Sequence, residues 1–231
     1  MKKIAVLTGA GISAESGIST FRDAGGLWEG HDIMDVASPH GWHKNPELVL
    51  DFYNKRRRQA INAKPNAGHL ALADLEKYFE VHIITQNIDN LHEKAGSFNV
   101  LHLHGELFKS QCSRYSDLIY DIQGTELCLG DMSEKGFQLR PHVVWFGEAV
   151  PMIEPAAQLV SEADVVIVVG TSMVVYPAAG LIQYARPDAD LYLVDPKIPD
   201  FDFRRPIEKI QRTAASGLPD LVQRLISRIE L

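Results

Sequence analysis

A glycine-rich turn, Gly-Ala-Gly-Ile-Ser-Ala at residues 9–14, directly follows the short apolar run at 4–7. Its G-x-G-x-x-A spacing suits two uses: close backbone packing at a tight turn, or close approach of a pyrophosphate to a helix N-terminus. A dehydrogenase would add a second strand ending in an acid to hold a ribose; here no strand-like run follows until residue 81. Thr85-Gln86-Asn87-Ile88-Asp89 follows that run, and Asn87 and Asp89 taken singly read as a cap for the helix that comes next. His102 and His104 stand two apart and share one side of a regular strand. That pattern raises a metal reading, although no third ligand converges with them in the sequence. Gly170-Thr171-Ser172 closes the longest apolar run and offers hydroxyls and backbone N–H groups.

A run of cations, Lys55-Arg56-Arg57-Arg58, sits in a chain of formal net charge −7. Asn45-Pro46-Glu47 makes a helix start, with a cap, a first-turn proline and a first-turn acid. On that helix Val49, Phe52, Tyr53, Ala60 and Ala63 form one stripe and Arg56 falls in its middle. Arg58 points the opposite way, with Lys55 and Arg57 on the flanks, so these three read as a solvated face. A guanidinium on an apolar stripe needs an anion, either a structural carboxylate or a bound one.

The elements that must carry these groups follow from composition and periodicity. With 231 residues and 45% hydrophobic residues, the chain is long enough for one domain with its own core. Its 23 Lys and Arg against 30 Asp and Glu argue against a grip on a nucleic-acid backbone. The apolar run at 4–7 is too short for a signal peptide, and 165–169 is too short to span a bilayer. Two cysteines, Cys112 and Cys128, make no disulfide framework and read as reduced thiols of a cytoplasmic protein. Runs rich in Val and Ile at 4–7, 81–84, 165–169 and 191–194 suit strands buried on both faces. Helical patterns at 65–79, 155–163, 177–185 and 218–231 alternate with them. The expectation is an α/β fold, a Rossmann-like doubly wound parallel sheet. Its core is expected at 1–24, 67–105 and 141–231, and a smaller subdomain at 25–66 and 106–140. Leu107, Phe108, Leu118, Ile119, Tyr120, Ile122 and Leu127 are expected to pack the 106–140 module.

The motifs also stand in a telling order. GAGISAESGISTFRDAGGLW at 9–28, TQNID at 85–89, HGEL at 104–107, RPHVVWFGEAVP at 140–151 and GTS at 170–172 resemble the signature of the sirtuins, the NAD-dependent protein deacylases. The resemblance implies NAD as co-substrate. It puts Gly9, Ala10 and Gly11 at the diphosphate, together with Ala14, Glu15, Thr20, Phe21, Arg22 and Trp28 of the same run. Gly170, Thr171 and Ser172 would hold the rest of the dinucleotide, and Asp195, Pro196, Lys197 and Ala214 the adenosine end. Gln86, Asn87, Ile88 and Asp89 would hold nicotinamide and its ribose, whose carboxamide and hydroxyls need directional partners. His104 would be the general base, with Asn87 and Asp89 completing the catalytic group. Val144, Phe146 and Gly147 belong to a segment that resembles the family's peptide-pairing strand, though an ordinary core strand reads the same way.

Departures from the family pattern sharpen the expectation. Sirtuins typically hold zinc with two C-x-x-C pairs after HGEL; here Cys112 and Cys128 have no partner at that spacing, so no zinc is expected. Asp195 replaces the usual Asn and Ser19 the usual Pro. Tyr53-x-x-Arg56, with Ala37 upstream, matches sirtuins that accept succinyl or malonyl groups, where Tyr and Arg bind the distal carboxylate and the small Ala leaves room. The implied partners are acylated lysines of proteins, with neither nucleic acid nor membrane, and a monomer is the working expectation. Two rivals stay open: a mono-ADP-ribosyltransferase or NAD glycohydrolase in the same cleft, and a non-catalytic NAD or ADP-ribose binding module.

Overall fold

The structure, a computed structural model, describes residues 1–19, 27–28, 30–200, 202–203 and 205–229. Its strands are β1 Lys3–Thr8, β2 Leu27–Trp28, β3 His31–Asp32, β4 Glu80–Thr85, β5 Val100–His102, β6 Gly105–Cys112, β7 Ile119–Asp121, β8 Leu139–Val143, β9 Val165–Val169, β10 Asp190–Val194 and β11 Glu208–Ile210. Its helices are α1 Ile33–Val36, α2 Pro39–Lys44, α3 Pro46–Asn62, α4 Ala67–Leu75, α5 Leu91–Ala95, α6 Ile153–Glu162 and α7 Ala214–Ser227.

Six strands form one parallel sheet in the order β11-β10-β9-β1-β4-β5. The two-residue period of a strand sorts its side chains. Ile4 and Val6 of β1, Ile167 and Val169 of β9, and Val194 of β10 enter a core with Leu72 of α4 and Leu221 of α7. Ala5, Leu7, Val166, Val168 and Leu193 enter a second core, on the other face, with Ala156 and Val160 of α6. Both faces are covered, which is why these strands read as continuous apolar runs. Chain order reverses between β1 and β9, so the loops that leave their C-terminal ends open a crevice of the kind that binds ligands in such sheets.

A third core joins α3 to a small antiparallel sheet, β7-β6-β8, through Phe52, Tyr53, Leu107, Val143 and Trp145. β8 runs through the expected boundary at 140/141, because its residues 139 to 141 pair with β6 before the chain returns to the main sheet. Leu107 and Leu127 are buried in this module as expected, whereas Ile119 is 44% exposed and Cys112, Ser110 and Ser133 fill interior positions. The short antiparallel pair β2-β3 lies within the 25–66 part of the expected subdomain.

Helix ends differ from the periodic reading where side chains decide them. Asn66 accepts the Gly68 N–H, so α4 starts after the cap and Pro65 precedes it. Residues 178–184, expected as an α-helix, form a 3-10 helix that packs Ala178, Ala179, Leu181 and Ile182 into the second core. α7 begins at Ala214, four residues earlier than its apolar period shows. Among the described residues no helix is long and apolar enough to cross a membrane.

Candidate active site

A cavity of about 850 Å³ opens at the C-terminal edge of the parallel sheet and extends between the sheet and α3. The glycine loop after β1 forms its floor. Gly9 N–H donates to Val169 O at 3.0 Å and Gly11 N–H to Gly170 O at 2.8 Å, which binds the loop to the one after β9. A Cβ on Gly11 would meet the Gly170 Cα at 2.7 Å, and one on Gly170, whose φ is +60°, would meet the Ile12 nitrogen at 2.5 Å. The missing Cβ of Gly11 therefore serves loop-to-loop packing, and Gly11 does not line the cavity while Gly9, Ala10 and Gly170 do. Of the two uses open to G-x-G-x-x-A, packing accounts for Gly11.

The turn after β4 is tied to that floor. Asn87 Nδ2 donates to Gly9 O and to Ser13 Oγ, each at 3.2 Å, and Ser13 Oγ donates to Asp89 Oδ2 at 3.0 Å. The other Asp89 oxygen accepts the Leu91 N–H at 3.1 Å, so one carboxylate both holds the first residue of α5 and joins the site. Burial pushes the Asp89 carboxyl upward, and its Leu91 and Ser13 donors oppose that. Gln86 Nε2 donates to Thr171 Oγ1 at 3.3 Å, which links this turn to the one after β9. Thr171 Oγ1 also accepts the Met173 N–H, while Ile88 and Ser172 line the cavity.

His104 lines the same cavity, and its Nδ1 lies 3.1 Å from Gln86 O. A carbonyl only accepts, so Nδ1 carries the proton and Nε2 is the basic nitrogen of the neutral ring. Burial lowers the His104 pKa, and the Gln86 carbonyl partly restores it. A neutral imidazole with a defined tautomer is what a general base needs.

Ala37, Tyr53 and Arg56 border the cavity from the α3 side, with Val144, Phe146 and Gly147 beside them. Trp145 Nε1–H donates to the Tyr53 oxygen at 3.1 Å. Burial pushes the Tyr53 pKa up to about 12, the Trp145 bond and Arg56 opposing. Arg140 packs 3.6 Å over the Trp145 ring and pairs with both oxygens of Glu148, at 2.7 and 3.0 Å. In the 144–148 segment the N–H of Val144 goes to His104 O, that of Trp145 to Glu148 and that of Phe146 to Ala37 O. These amide donors are thus already engaged within the protein.

Arg57, read as solvated, is fully buried. Its Nε donates to Thr125 O at 2.9 Å and its Nη1 to Leu107 O at 3.1 Å, while Nη2 meets Asn54 Oδ1. β6 and the segment that follows β7 cover that flank of α3 and supply the Leu107 and Thr125 carbonyls for it.

Several expected positions lie elsewhere. Ala14 and Glu15 stand outside the lining, with Glu15 accepting the Ala215 N–H at 3.1 Å at the start of α7. Asp195 is fully buried with Oδ1 on the Lys197 N–H at 2.9 Å; Pro196 and Ala214 are also outside the lining, and Lys197 is within it. Thr20, Phe21 and Arg22, and the side chain of Trp28, lie outside the described residues. Ser13 and the run Val174, Val175 and Tyr176 line the cavity without having been singled out. Val174 and Tyr176 are 71% and 66% exposed, an apolar pair after GTS that no core period claims.

The Sir2 family model matches residues 9–177. This chain belongs to the Sir2 family. A Sir2 relative from Helicobacter pylori (strain ATCC 700392 / 26695), named NAD-dependent protein deacylase, is 53% identical over 226 residues and covers 98% of each chain. Another of that name, from Bacteroides thetaiotaomicron, is 52% identical over 231 residues, covering 98% of this chain and 99% of its own. Among solved structures, a Sir2 homolog–NAD complex superposes with TM-score 0.89 at 37% identity, covering 99% of this chain and 91% of its own. A Sir2 complex with a p53 peptide and NAD+ superposes at 0.76 and 31% identity, covering 98% and 93%. Among the described residues no group of three or more His, Cys, Asp or Glu is placed to hold a metal ion.

Proposed function

We propose that this Sir2 chain is an NAD-dependent protein-lysine deacylase whose acyl pocket takes acidic groups, succinyl and malonyl, as well as acetyl. The amide oxygen of the acyl-lysine attacks C1′ of the nicotinamide ribose, and nicotinamide leaves. His104 Nε2 then takes a proton from a ribose hydroxyl, whose oxygen attacks the imidate carbon. Water completes the release, leaving free lysine and O-acyl-ADP-ribose. Gln86, Asn87 and Asp89 hold the nicotinamide ribose against the base, and Gly9, Ala10 and Lys197 face the remainder of NAD.

One observation carries the acyl preference: Tyr53 and Arg56 border the same cavity as His104, with Ala37 beside them. The Tyr53 oxygen already accepts the Trp145 N–H, which leaves its own O–H to donate. A phenol donor next to a guanidinium matches a distal carboxylate. Glu148, an acid on the cavity wall, is paired through both oxygens with Arg140. Val174, Tyr176 and Phe146, all exposed and all lining the cavity, would give an extended peptide an apolar seat. No zinc is proposed for the 106–140 module, because neither Cys112 nor Cys128 has a partner at C-x-x-C spacing.

Arg56→Met is expected to raise KM for a succinyl-lysine peptide about tenfold or more, the loss of one charge-assisted contact, and to spare acetyl-lysine. Equal losses on both substrates would overturn the acyl assignment. Mass spectrometry after incubation with NAD and either peptide should detect O-acyl-ADP-ribose; nicotinamide release without it would point to an ADP-ribosyltransferase or glycohydrolase.

A further inference from the structure

His102, the other half of the H-x-H pair, has no part in the steps above. β5 ends at His102, and both histidines address the turn after β4: His102 Nδ1 lies 2.8 Å from Asn87 O and His104 Nδ1 lies 3.1 Å from Gln86 O. Consecutive carbonyls of one turn are thus held by the two rings. The rings differ in their second nitrogen. His102 Nε2 is 2.7 Å from Glu93 Oε1 on α5. Carbonyl and carboxylate only accept, so both His102 nitrogens carry protons and the ring is an imidazolium.

We propose that His102, held as an imidazolium by Glu93, is a positioning residue for deacylation: it clamps the Asn87 carbonyl and thereby sets the Gln86-to-Asp89 turn that faces the cavity. This rests on the deacylase reading above. Burial is the largest single influence on the His102 pKa and lowers it, but the Glu93 carboxylate, the Asn87 carbonyl and Glu106 together outweigh burial and raise it. Glu93 in turn is held down by His102 despite its own burial. His104, with a carbonyl and no carboxylate, is shifted the other way. The remaining titratable groups that face His102 are Asp89 in the turn, His92 on α5, Glu106 on β6 and His142 on β8. The His102 charge favours ionised Asp89 and neutral His92 and His142, so its proton supports the site's other charge states. Activity therefore needs His104 without its second proton and His102 with it. The acid limb belongs to His104 and the alkaline limb to His102.

The test combines NMR titration of the histidine rings in the full chain with pH profiles of kcat on an acetyl-lysine peptide. His102 is expected to titrate above about 6.5, the unperturbed value, and His104 below it. Glu93→Gln keeps an acceptor for Nε2–H and removes the charge. It should move the alkaline limb down by about one pH unit or more and leave the acid limb in place. His102→Gln should lower kcat about tenfold through a misplaced turn, with the peptide KM unchanged because the peptide-facing Val144, Phe146, Val174 and Tyr176 are untouched. A His102 ring that titrates at or below the unperturbed value, or an alkaline limb that Glu93→Gln does not move, overturns the proposal. Should His102→Gln fail to fold, the Glu93→Gln profile and the wild-type titration still decide. A wild-type chain inactive on every acyl-lysine peptide would sink the deacylase reading and leave the ring titration standing.

Discussion

The Tyr53 oxygen accepts an indole N–H, and burial pushes its pKa up to about 12, so the phenol holds its proton at neutral pH. With the Trp145 N–H accepted, the Tyr53 O–H is left to donate. Trp145→Phe keeps an aromatic ring beneath Arg140 and deletes the donor. It is expected to raise KM for succinyl-lysine about threefold to tenfold, a neutral hydrogen bond's worth, and to leave acetyl-lysine kinetics unchanged. The effect should vanish in a Tyr53→Phe background, which a double-mutant cycle with both peptides checks. Ser13 belongs to the same scale. Its hydroxyl stands between Asn87 and Asp89, yet within GAGISA it reads only as a small residue. Side-chain chemistry that depends on a partner 74 or 76 residues away leaves no local mark.

α3 shows what a helical period can and cannot tell. The Asn45 cap accepts the Leu48 N–H at 3.0 Å and the apolar stripe faces inward, as the spacing implies, and Arg56 on that stripe borders the cavity. Arg57 departs because a second element covers its flank. Asn54, one turn away, completes the contact, donating to Leu127 O at 3.1 Å and accepting the Leu127 N–H at 3.0 Å. Burial lowers the Arg57 pKa to about 10, with Glu126 opposing, so the side chain is still charged at neutral pH. Arg57→Met strips donors from the buried Leu107 carbonyl and the half-buried Thr125 carbonyl and should destabilise by about 3 kcal/mol. Arg58→Ala loses only an exposed pair with Glu126 and should stay within about 1 kcal/mol. Thermal unfolding compares the two, and limited proteolysis should nick residues 113–138 first in the Arg57 variant. Comparable losses would mean that the module does not depend on this clamp.

Across the whole molecule, α4, α5 and β1 meet at a pair of buried histidines beneath the site. His69 and His92 pack edge to face at 4.9 Å between ring centroids, and His92 Nε2 lies 3.2 Å from Thr8 Oγ1. Burial lowers His69 to about 4 and His92 well below its ordinary value. Both are neutral in the folded protein at pH 7. Below about 6.5 the unfolded chain takes up protons that the folded chain refuses, so stability is lost as pH falls from there toward 4. His69 alone accounts for about 3 kcal/mol of that loss. His102 has the opposite sign: its raised pKa contributes stability below about 6.5 that disappears as pH rises through the folded value. Urea unfolding at pH 7.5 and 4.5 should show the acid loss, and His69→Gln should flatten it. An unchanged pH dependence in that variant would place the acid sensitivity elsewhere.

The sequence by itself determined the parallel sheet, the order of its motifs along one edge and the inward face of α3. Each of these is a local period or a turn at a strand end, and a segment carries that information alone. Gly9, Gln86, His104 and Gly170 come together because every one of them follows a strand at the same edge. Only the tertiary structure decided what covers the second flank of α3, which carboxylate meets His102, and that the Gly11 Cβ is excluded by Gly170. Those outcomes depend on surfaces contributed by segments far apart in the chain. A polar side chain such as Arg57 is stable inside once another element brings carbonyls to it, and a period within one helix cannot report that arrival.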